Sequence, residues 1–380
     1  MAYYRKRGKK WSYRLSYKDP FTGENKLKER GGFLTKKEAQ LAAAQMEKEI
    51  NEGMRESDQT LVKYLKEWLY DYKKDTIREN TFKIHKNNIE NHIEPYFKQI
   101  KLTDLQPMMY QKFLNQLTNS KKSKRTVEII HGTIYAALDR AVILGHIKHN
   151  PCKGVAIKGE TKKREIEYIP SDQIQQFLAT SYQYGYIYWL FFKMLIETGM
   201  RKGEAGALRW TDVDLNNQRI KIQTTIDYSL KPSATASALF GDAKTYNSRR
   251  TITISNGLTE ALKVHMKWQN QNKLAVGELY RHDLNLVHCR ADGSFIPKSS
   301  LFNSFSRILK RTGIEPLPIH SLRHTHAVLL LEAGTDMKYI QERLGHGSIQ
   351  ITADVYSHIS KKLEKDHMDK FETYTKGILD

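Results

Sequence analysis

The 380-residue sequence holds only two cysteines, Cys152 and Cys289. That is too few for a disulfide framework or a cysteine-built zinc module, so a reduced, cytoplasmic protein is expected. No run of about 18 apolar residues occurs, which excludes an ordinary membrane span. The basic N-terminus, MAYYRKRGKKW, is not followed by the apolar stretch of a signal peptide. Low-complexity segments and solenoid repeats are missing too. Acid is in short supply: 42 Asp+Glu face 62 Lys+Arg, a formal charge of +20. An imbalance of that size favours a polyanionic partner. Nucleic acid is the default, because the rival, an anionic membrane surface, has no apolar segment to support it. With 39% hydrophobic and 10% aromatic residues the chain can bury real cores, and its length calls for two or three of them.

The first thirty residues carry ten bases, among them Arg5, Lys6, Arg7, Lys9, Lys10 and Arg14, against three acids. Within them Trp11, Tyr13, Leu15 and Tyr17 alternate with polar residues, the period of a half-buried strand. The turn residues of DPFTGE and the returning NKLKER complete a hairpin. Thr35 with Glu38 forms a capping-box signature that opens a helix to about Gly53. Residues 1–55 therefore read as a small sheet plus one helix, a folded nucleic-acid-binding module and not a solvated tail.

From Thr60 to about Pro151 the periodicity is helical. Leu61, Leu65, Trp68 and Leu69 make one stripe; Phe82, Ile84, Ile89 and Ile93 make part of a second. Further helices are expected over Thr103–Leu117 and Arg125–Leu144. The connection between them carries Lys121, Lys122, Lys124 and Arg125 with no acid, and is expected to meet a nucleic-acid backbone. HNPCKG and the charged GETKKREIE read as a linker. The remainder, 165–380, mixes elements: helices near Ser171–Ser181 and Trp189–Ile196, β segments near Arg219–Ile226 and Arg249–Ile254, then more helices. The fold class expected is α+β multidomain: a sheet-plus-helix N-terminal domain, an all-α domain over 60–155, and a mixed, mainly α domain with a small sheet.

The densest chemistry lies in HSLRHTHAVLLLEAG, where His320, Arg323, His324 and His326 precede an aliphatic run. Three readings compete. A zinc site could use His320 and His324 at helical spacing, but no glutamate lies between them and Arg323 would repel a divalent cation. Ordinary core histidines are the blander option for any one of them. The third reading is an anion site at a helix N-terminus, with Arg323 and His320 aimed at a phosphate. TGMRKGEAGALRW supplies a second arginine in a similar setting, Arg201, with Glu204 three residues on. That pair is either a surface contact or a carboxylate that orients the arginine.

Taken in order, TGMRKGEAGALRW, HSLRHTHAVLLLEAG and LGHGSIQITADVYSH resemble the tyrosine recombinase family, specifically phage- and transposon-type integrases. The resemblance spans about Tyr168 to His358. It implies catalytic roles for Arg201, Arg323, His320, His346 and Tyr356, with Tyr356 as nucleophile and Glu204 in support. A hairpin lysine is implied as well; Lys244 in GDAKTYNSRRTITI fills it, with Lys231 also nearby. Ser321 departs from the pattern, since many relatives carry Asp there. The resemblance further implies an arm-site DNA-binding domain over 1–55, a core-site DNA-binding domain over 60–155 and a catalytic domain over 165–380.

The implied activity is metal- and ATP-independent cutting and rejoining of DNA through a 3′-phosphotyrosine, to integrate and excise a phage or mobile element. No cofactor and no metal is required. The implied partners are double-stranded DNA attachment sites, a homotetramer formed on DNA, a host DNA-bending protein and an excision directionality factor. The charged C-terminal segment, with Leu363, Met368 and Phe371, packs either on its own domain or on a neighbouring subunit. Competing functions are a chromosome-dimer-resolving recombinase, which residues 1–55 argue against, a type IB topoisomerase, a catalytically inactive DNA-binding repressor and a zinc hydrolase.

Overall fold

Alternation of large and charged side chains builds the first element group. In a computed structural model, β1 (Ala2–Arg7), β2 (Lys10–Lys18) and β3 (Asn25–Phe33) form an antiparallel sheet in that order. The structure describes all residues except 1, 19–22, 52–58, 161–165, 232, 243–248, 346, 349–352, 354–367, 369–370, 377 and 379–380. Tyr13 and Leu15 are buried with Ala43 and Met46 of helix α1 (Lys36–Asn51). Thr35 Oγ1 accepts from the Glu38 N–H at 3.1 Å, as a capping box requires, but the Glu38 carboxylate reaches back to the N–H of Leu34 and not of Thr35. β1 escaped the sequence reading because Tyr3 and Tyr4 are adjacent and Arg5, Lys6 and Arg7 are all charged, so no alternation shows.

Residues 61–157 enclose a separate helical core. Its helices are α2 (Leu61–Glu67), α3 (Glu79–Asn88), α4 (Glu94–Phe97), α5 (Pro107–Asn119) and α6 (Lys124–Ile143). α2 and α3 each widen into a π-helical stretch, Trp68–Lys73 and Ile89–Ile93. The expected stripe of Leu61, Leu65, Trp68 and Leu69 is buried. Ile84 corrects the second stripe: it is exposed, because His85 takes the inward position, edge-on to Trp68 and 2.9 Å from Thr133 Oγ1. HNPCKG is not linker. Asn150 donates to Tyr135 O at 3.1 Å, its Oδ1 accepts from the Cys152 N–H at 3.0 Å, and Cys152 is buried in the helical core.

Contacts divide the chain into two units, 1–163 and 164–380. In the second, α7 (Ser171–Tyr184), α8 (Tyr186–Thr198) and the short α9 (Lys202–Gly206) lead into β4 (Val213–Asp214), β5 (Arg219–Ile222) and β6 (Thr224–Ile226). Next come α10 (Ala236–Leu239), β7 (Phe240–Asp242), β8 (Arg250–Thr253) and α11 (Asn256–Val276). α12 (Lys298–Thr312), α13 (Ser321–Glu332) and α14 (Met337–Leu344) follow. The sheet runs β4-β5-β8, with β6-β7 as a two-stranded pair, so the single strand expected to Ile226 breaks at Gln223. The core joins α7, α8, β5, β8, α11, α12 and the start of α13. Most of the expected C-terminal helix, Leu363 included, lies outside the described residues; residues 371–375 are helical, with Met368 and Phe371 exposed. Among the described residues no helix is long and apolar enough to cross a membrane.

Candidate active site

Helix ends, more than helix faces, assemble this site. α8 stops at Gly199, whose φ of 65° is a left-handed conformation open to glycine. A Cβ there would lie 2.4 Å from Leu344 Cδ2 and 2.6 Å from His326 Cδ2, so α8, α13 and α14 meet only because residue 199 has no side chain. Two residues on, Arg201 caps α9. Its N–H donates to Glu204 Oε2 at 2.9 Å and its Nη1 to Oε1 at 2.8 Å, so the carboxylate orients both backbone and side chain. The reading of Arg201–Glu204 as a mere surface pair does not hold, since Glu204 is 5% exposed.

Arg323 sits in the first turn of α13, but not as an N-terminal anion site would have it. The N–H groups of Ser321, Leu322 and Arg323 bond back to Pro318, Ile319 and His320 carbonyls and are not free for a phosphate. The buried Arg323 guanidinium turns to two helix C-termini instead, donating from Nη1 to Gly199 O at 2.7 Å and from Nη2 to Leu344 O at 2.6 Å. Carbonyls at a helix end carry the negative pole of the dipole, so they attract a guanidinium. Arg201 Nη2 reaches the next carbonyl, Gly345 O, at 3.4 Å. The two arginines, 122 residues apart in sequence, thus converge on adjacent peptide groups.

Four further residues, which sequence reasoning did not single out for the site, complete the arrangement. Arg250 of β8 donates from Nη2 to Glu204 Oε2 at 3.0 Å and from Nε to Arg343 O at 2.7 Å. Arg343 donates from Nε to His326 Nε2 at 3.0 Å, while His326 Nδ1 donates to Ile196 O at 2.7 Å. Those partners fix His326 as the neutral Nδ1–H tautomer. Gly199 is the fourth. The signals were weak: Arg250 follows another arginine, and Arg343 and His326 stand beside stronger motif positions.

Electrostatics follow from this packing. Burial pushes the Glu204 carboxyl up, but the charges of Arg250 and Arg201 and the hydrogen bonds from both outweigh it, leaving a carboxylate below its usual range. Burial, helped by Arg201 and Arg250, brings Arg323 down to about 9, still cationic at neutral pH. His320 precedes α13, keeps an exposed side and stands edge-on to His324 with ring centroids 5.0 Å apart. Burial of its inner side, then His324, Arg323 and Arg201, pushes it down to about 4, so its imidazole is neutral at pH 7. Ser321 Oγ is buried and unpartnered among the described residues, at the position where the resemblance implies Asp. Among those residues no group of three or more His, Cys, Asp or Glu could hold a metal ion. Lys244, His346 and Tyr356 lie outside the described residues; Lys231, the other candidate lysine, is exposed.

The basic residues of the first unit distribute unevenly. Arg5, Arg7, Lys10 and Arg14 share the sheet face away from α1, since their strand partners alternate with buried Tyr13 and Leu15. Lys6 pairs with Trp11 on the other face, and Lys9 is in the β1–β2 turn. Glu29 accepts from Arg14 at 2.9 Å and lies 3.3 Å from Arg7. Between α5 and α6, Lys121 is exposed in a positive-φ turn and Lys122 is half-buried; in the first turn of α6, Lys124 is half-buried and Arg125 pairs with Glu128 at 3.3 Å.

Comparison with known proteins places this geometry. The model of the phage integrase family matches residues 167–362, more than half of the chain. The arm DNA-binding domain matches 1–50, and the N-terminal SAM-like domain of phage integrases matches 60–118. A XerC-like tyrosine recombinase of Caldanaerobacter subterraneus subsp. tengcongensis is 29% identical, over 86% of this chain and 87% of the relative. The ICEBs1 integrase of Bacillus subtilis is 28% identical, over 93% and 94%. The solved Tn1549 transposon integrase, in complex with circular intermediate DNA, aligns over 82% of this chain and 99% of its own, with a TM-score of 0.66 at 16% identity; it supports the fold. The chain belongs to the phage integrase family and is a tyrosine site-specific recombinase.

Proposed function

We propose that the chain cleaves and rejoins attachment-site DNA through Tyr356, with Arg201 and Arg323 binding the two non-bridging oxygens of the scissile phosphate. The observation that carries this reading is the convergence of those guanidiniums on the carbonyls of residues 344 and 345, immediately before His346 in the chain. Each arginine keeps N–H donors beyond those bonds, enough to meet an oxyanion as well. In the pentacoordinate transition state the phosphate gains negative charge, and fixed donors in a dry site meet it without reorganising. His346 supplies a further hydrogen bond.

The tyrosine hydroxyl attacks phosphorus, forming the 3′-phosphotyrosine and breaking the bond to the 5′-oxygen. The phenolic proton passes to the neutral imidazole of His320, and Lys244 protonates the departing 5′-oxygen. A 5′-hydroxyl from another strand reverses the step, so the energy of the phosphodiester is conserved and neither ATP nor metal is consumed. Residues 1–55 bind arm sites through the arginine-bearing sheet face, residues 60–155 bind core sites, and 165–380 carry the chemistry. Four copies assemble on two DNA sites, with the C-terminal segment, whose Met368 and Phe371 are exposed, docking on a neighbour. A host bending protein and a directionality factor complete the assembly.

The test is a denaturing gel of the protein with a nicked duplex bearing its attachment core, in EDTA. The wild type should yield a covalent protein–DNA adduct, and Tyr356→Phe none, with site binding within a few-fold. An adduct from the phenylalanine variant would remove Tyr356 from the role. No adduct from either, with binding intact, would favour an inactive DNA-binding protein.

A further inference from the structure

We propose that Arg250 is a positioning residue for strand cleavage, a strut from β8 that locks Glu204 and the end of α14 together so that the groups on both sides meet one phosphate. The inference rests on the reading of Arg201, Arg323 and His346 as phosphate-binding groups. Three consecutive carbonyls at the C-terminus of α14, those of Arg343, Leu344 and Gly345, each accept from a guanidinium carried by a different element. The donors are Arg250 of β8, Arg323 of α13 and Arg201 at the cap of α9. Two of these belong to the proposed chemistry. The third, Arg250, is 7% exposed, with its fork spent on protein groups, and so acts through them.

Its position explains why a charged fork is needed. Nη2 binds the Glu204 oxygen that also accepts the Arg201 N–H, while Nε binds the α14 carbonyl three residues before His346. One planar group therefore ties the carboxylate that aims Arg201 to the helix end that leads to His346. A lysine would offer donors from one point and span the two acceptors poorly. The tie is doubled from the other side: Arg343 Nη1 donates to Thr253 O of β8 at 3.0 Å, so strand and helix exchange two guanidinium-to-carbonyl bonds. Without Arg250, Glu204 would hold Arg201 with one of its two side-chain guanidinium partners gone, and misplacement by about 1 Å can cost about 100-fold in rate.

The experiment uses the full chain on the nicked attachment-core duplex. It measures the adduct-formation rate at saturating protein, site affinity and the melting temperature for Arg250→Met, Arg250→Lys, Glu204→Gln and Arg250→Met/Glu204→Gln. Arg250→Met should cleave roughly 100-fold more slowly with site affinity within a few-fold, and Arg250→Lys should recover part of the rate. The double variant should lose less than the sum of its parents, because the two share the Arg250–Glu204 contact. Wild-type cleavage by a folded Arg250→Met protein, fully additive losses, or a loss confined to affinity would each overturn the inference. Should the methionine variant not fold, the lysine variant decides: an unchanged rate overturns the proposal and a roughly tenfold fall at normal affinity sustains it. No adduct from the wild type would overturn the catalytic reading and this inference with it. A wild-type adduct with unimpaired Arg250 variants overturns this inference alone.

Discussion

The chain uses arginine in two opposite ways. On the sheet of residues 2–33, Arg7 and Arg14 stand in solvent, 61% and 52% exposed, and share Glu29. In the second unit Arg250 and Arg323 are buried, and Glu204 is buried with them. The first arrangement is screened by water and salt and leaves long side chains free to adapt to whatever surface they meet. The second cannot relax: each buried guanidinium must end on a fixed acceptor, and helix C-termini provide them. Net charge alone does not separate the two, yet only the second kind can be preorganised for a transition state.

The same substitution should therefore have unequal effects. Arg323→Lys is expected to lower the rate of adduct formation about 100- to 1000-fold, the usual cost of losing a preorganised donor to a developing oxyanion. An ammonium cannot hold Gly199 O and Leu344 O in the plane of the original fork while presenting further donors to phosphate. Arg14→Lys on the exposed face should change arm-site binding by a few-fold at most. Comparable losses from both, measured as cleavage and as binding, would erase the distinction.

Acid should sharpen it. Residues 1–50 contain no histidine, so DNA binding through the sheet face should be flat between pH 5.5 and 7.5 as far as imidazoles go. With His320 down to about 4, the second-order rate of adduct formation should also hold across that window, with its acid limb near pH 4 and not near 6.5. Stability behaves differently. His265 is pushed down to about 4, and His288 and His326 to about 3, in each case by burial first. Unfolding then takes up protons at any pH between those values and about 6.5. The contribution is complete above that pH and is lost as pH falls towards 4. Melting temperature should thus decline below about pH 6.5 while initial cleavage rates do not; an acid limb near 6.5 in the rate would contradict the lowered His320.

Much of this was legible in sequence, for identifiable reasons. Helix α8 and the Arg201–Glu204 pair follow from local spacing, as do the β2 alternation and the α2 stripe. What escaped was long-range. Nothing in HSLRHTHA says that Arg323 turns away from its own helix N-terminus to the ends of two other helices. Arg250 holds the Arg343 carbonyl from ninety-three residues away and Arg343 holds the Thr253 carbonyl in return, a pairing that no periodicity records. Ile84 misled because a polar residue, His85, takes the inward position of α3 against Trp68 and Thr133, and HNPCKG because turn residues pack as well as link.

The smallest expected effect probes the exposed half of the comparison. Glu29 lies among bases, and the hydrogen bond from Arg14, with the charges of Arg14, Arg7 and Arg5, holds it below the usual carboxylate range despite its exposure. If this face meets DNA, Glu29 both occupies two arginines and repels phosphate. Glu29→Gln should release them, tightening binding to any duplex by a few-fold at low salt. The logarithmic salt dependence should steepen by about one ion, and the gain should fade at high salt. The melting temperature should stay where it is, because an exposed pair contributes little to stability. Affinity measured by titration at several salt concentrations decides it. Unaltered slope and affinity would mean that this face does not meet the phosphates, and that the bases of the N-terminal sheet serve some other contact.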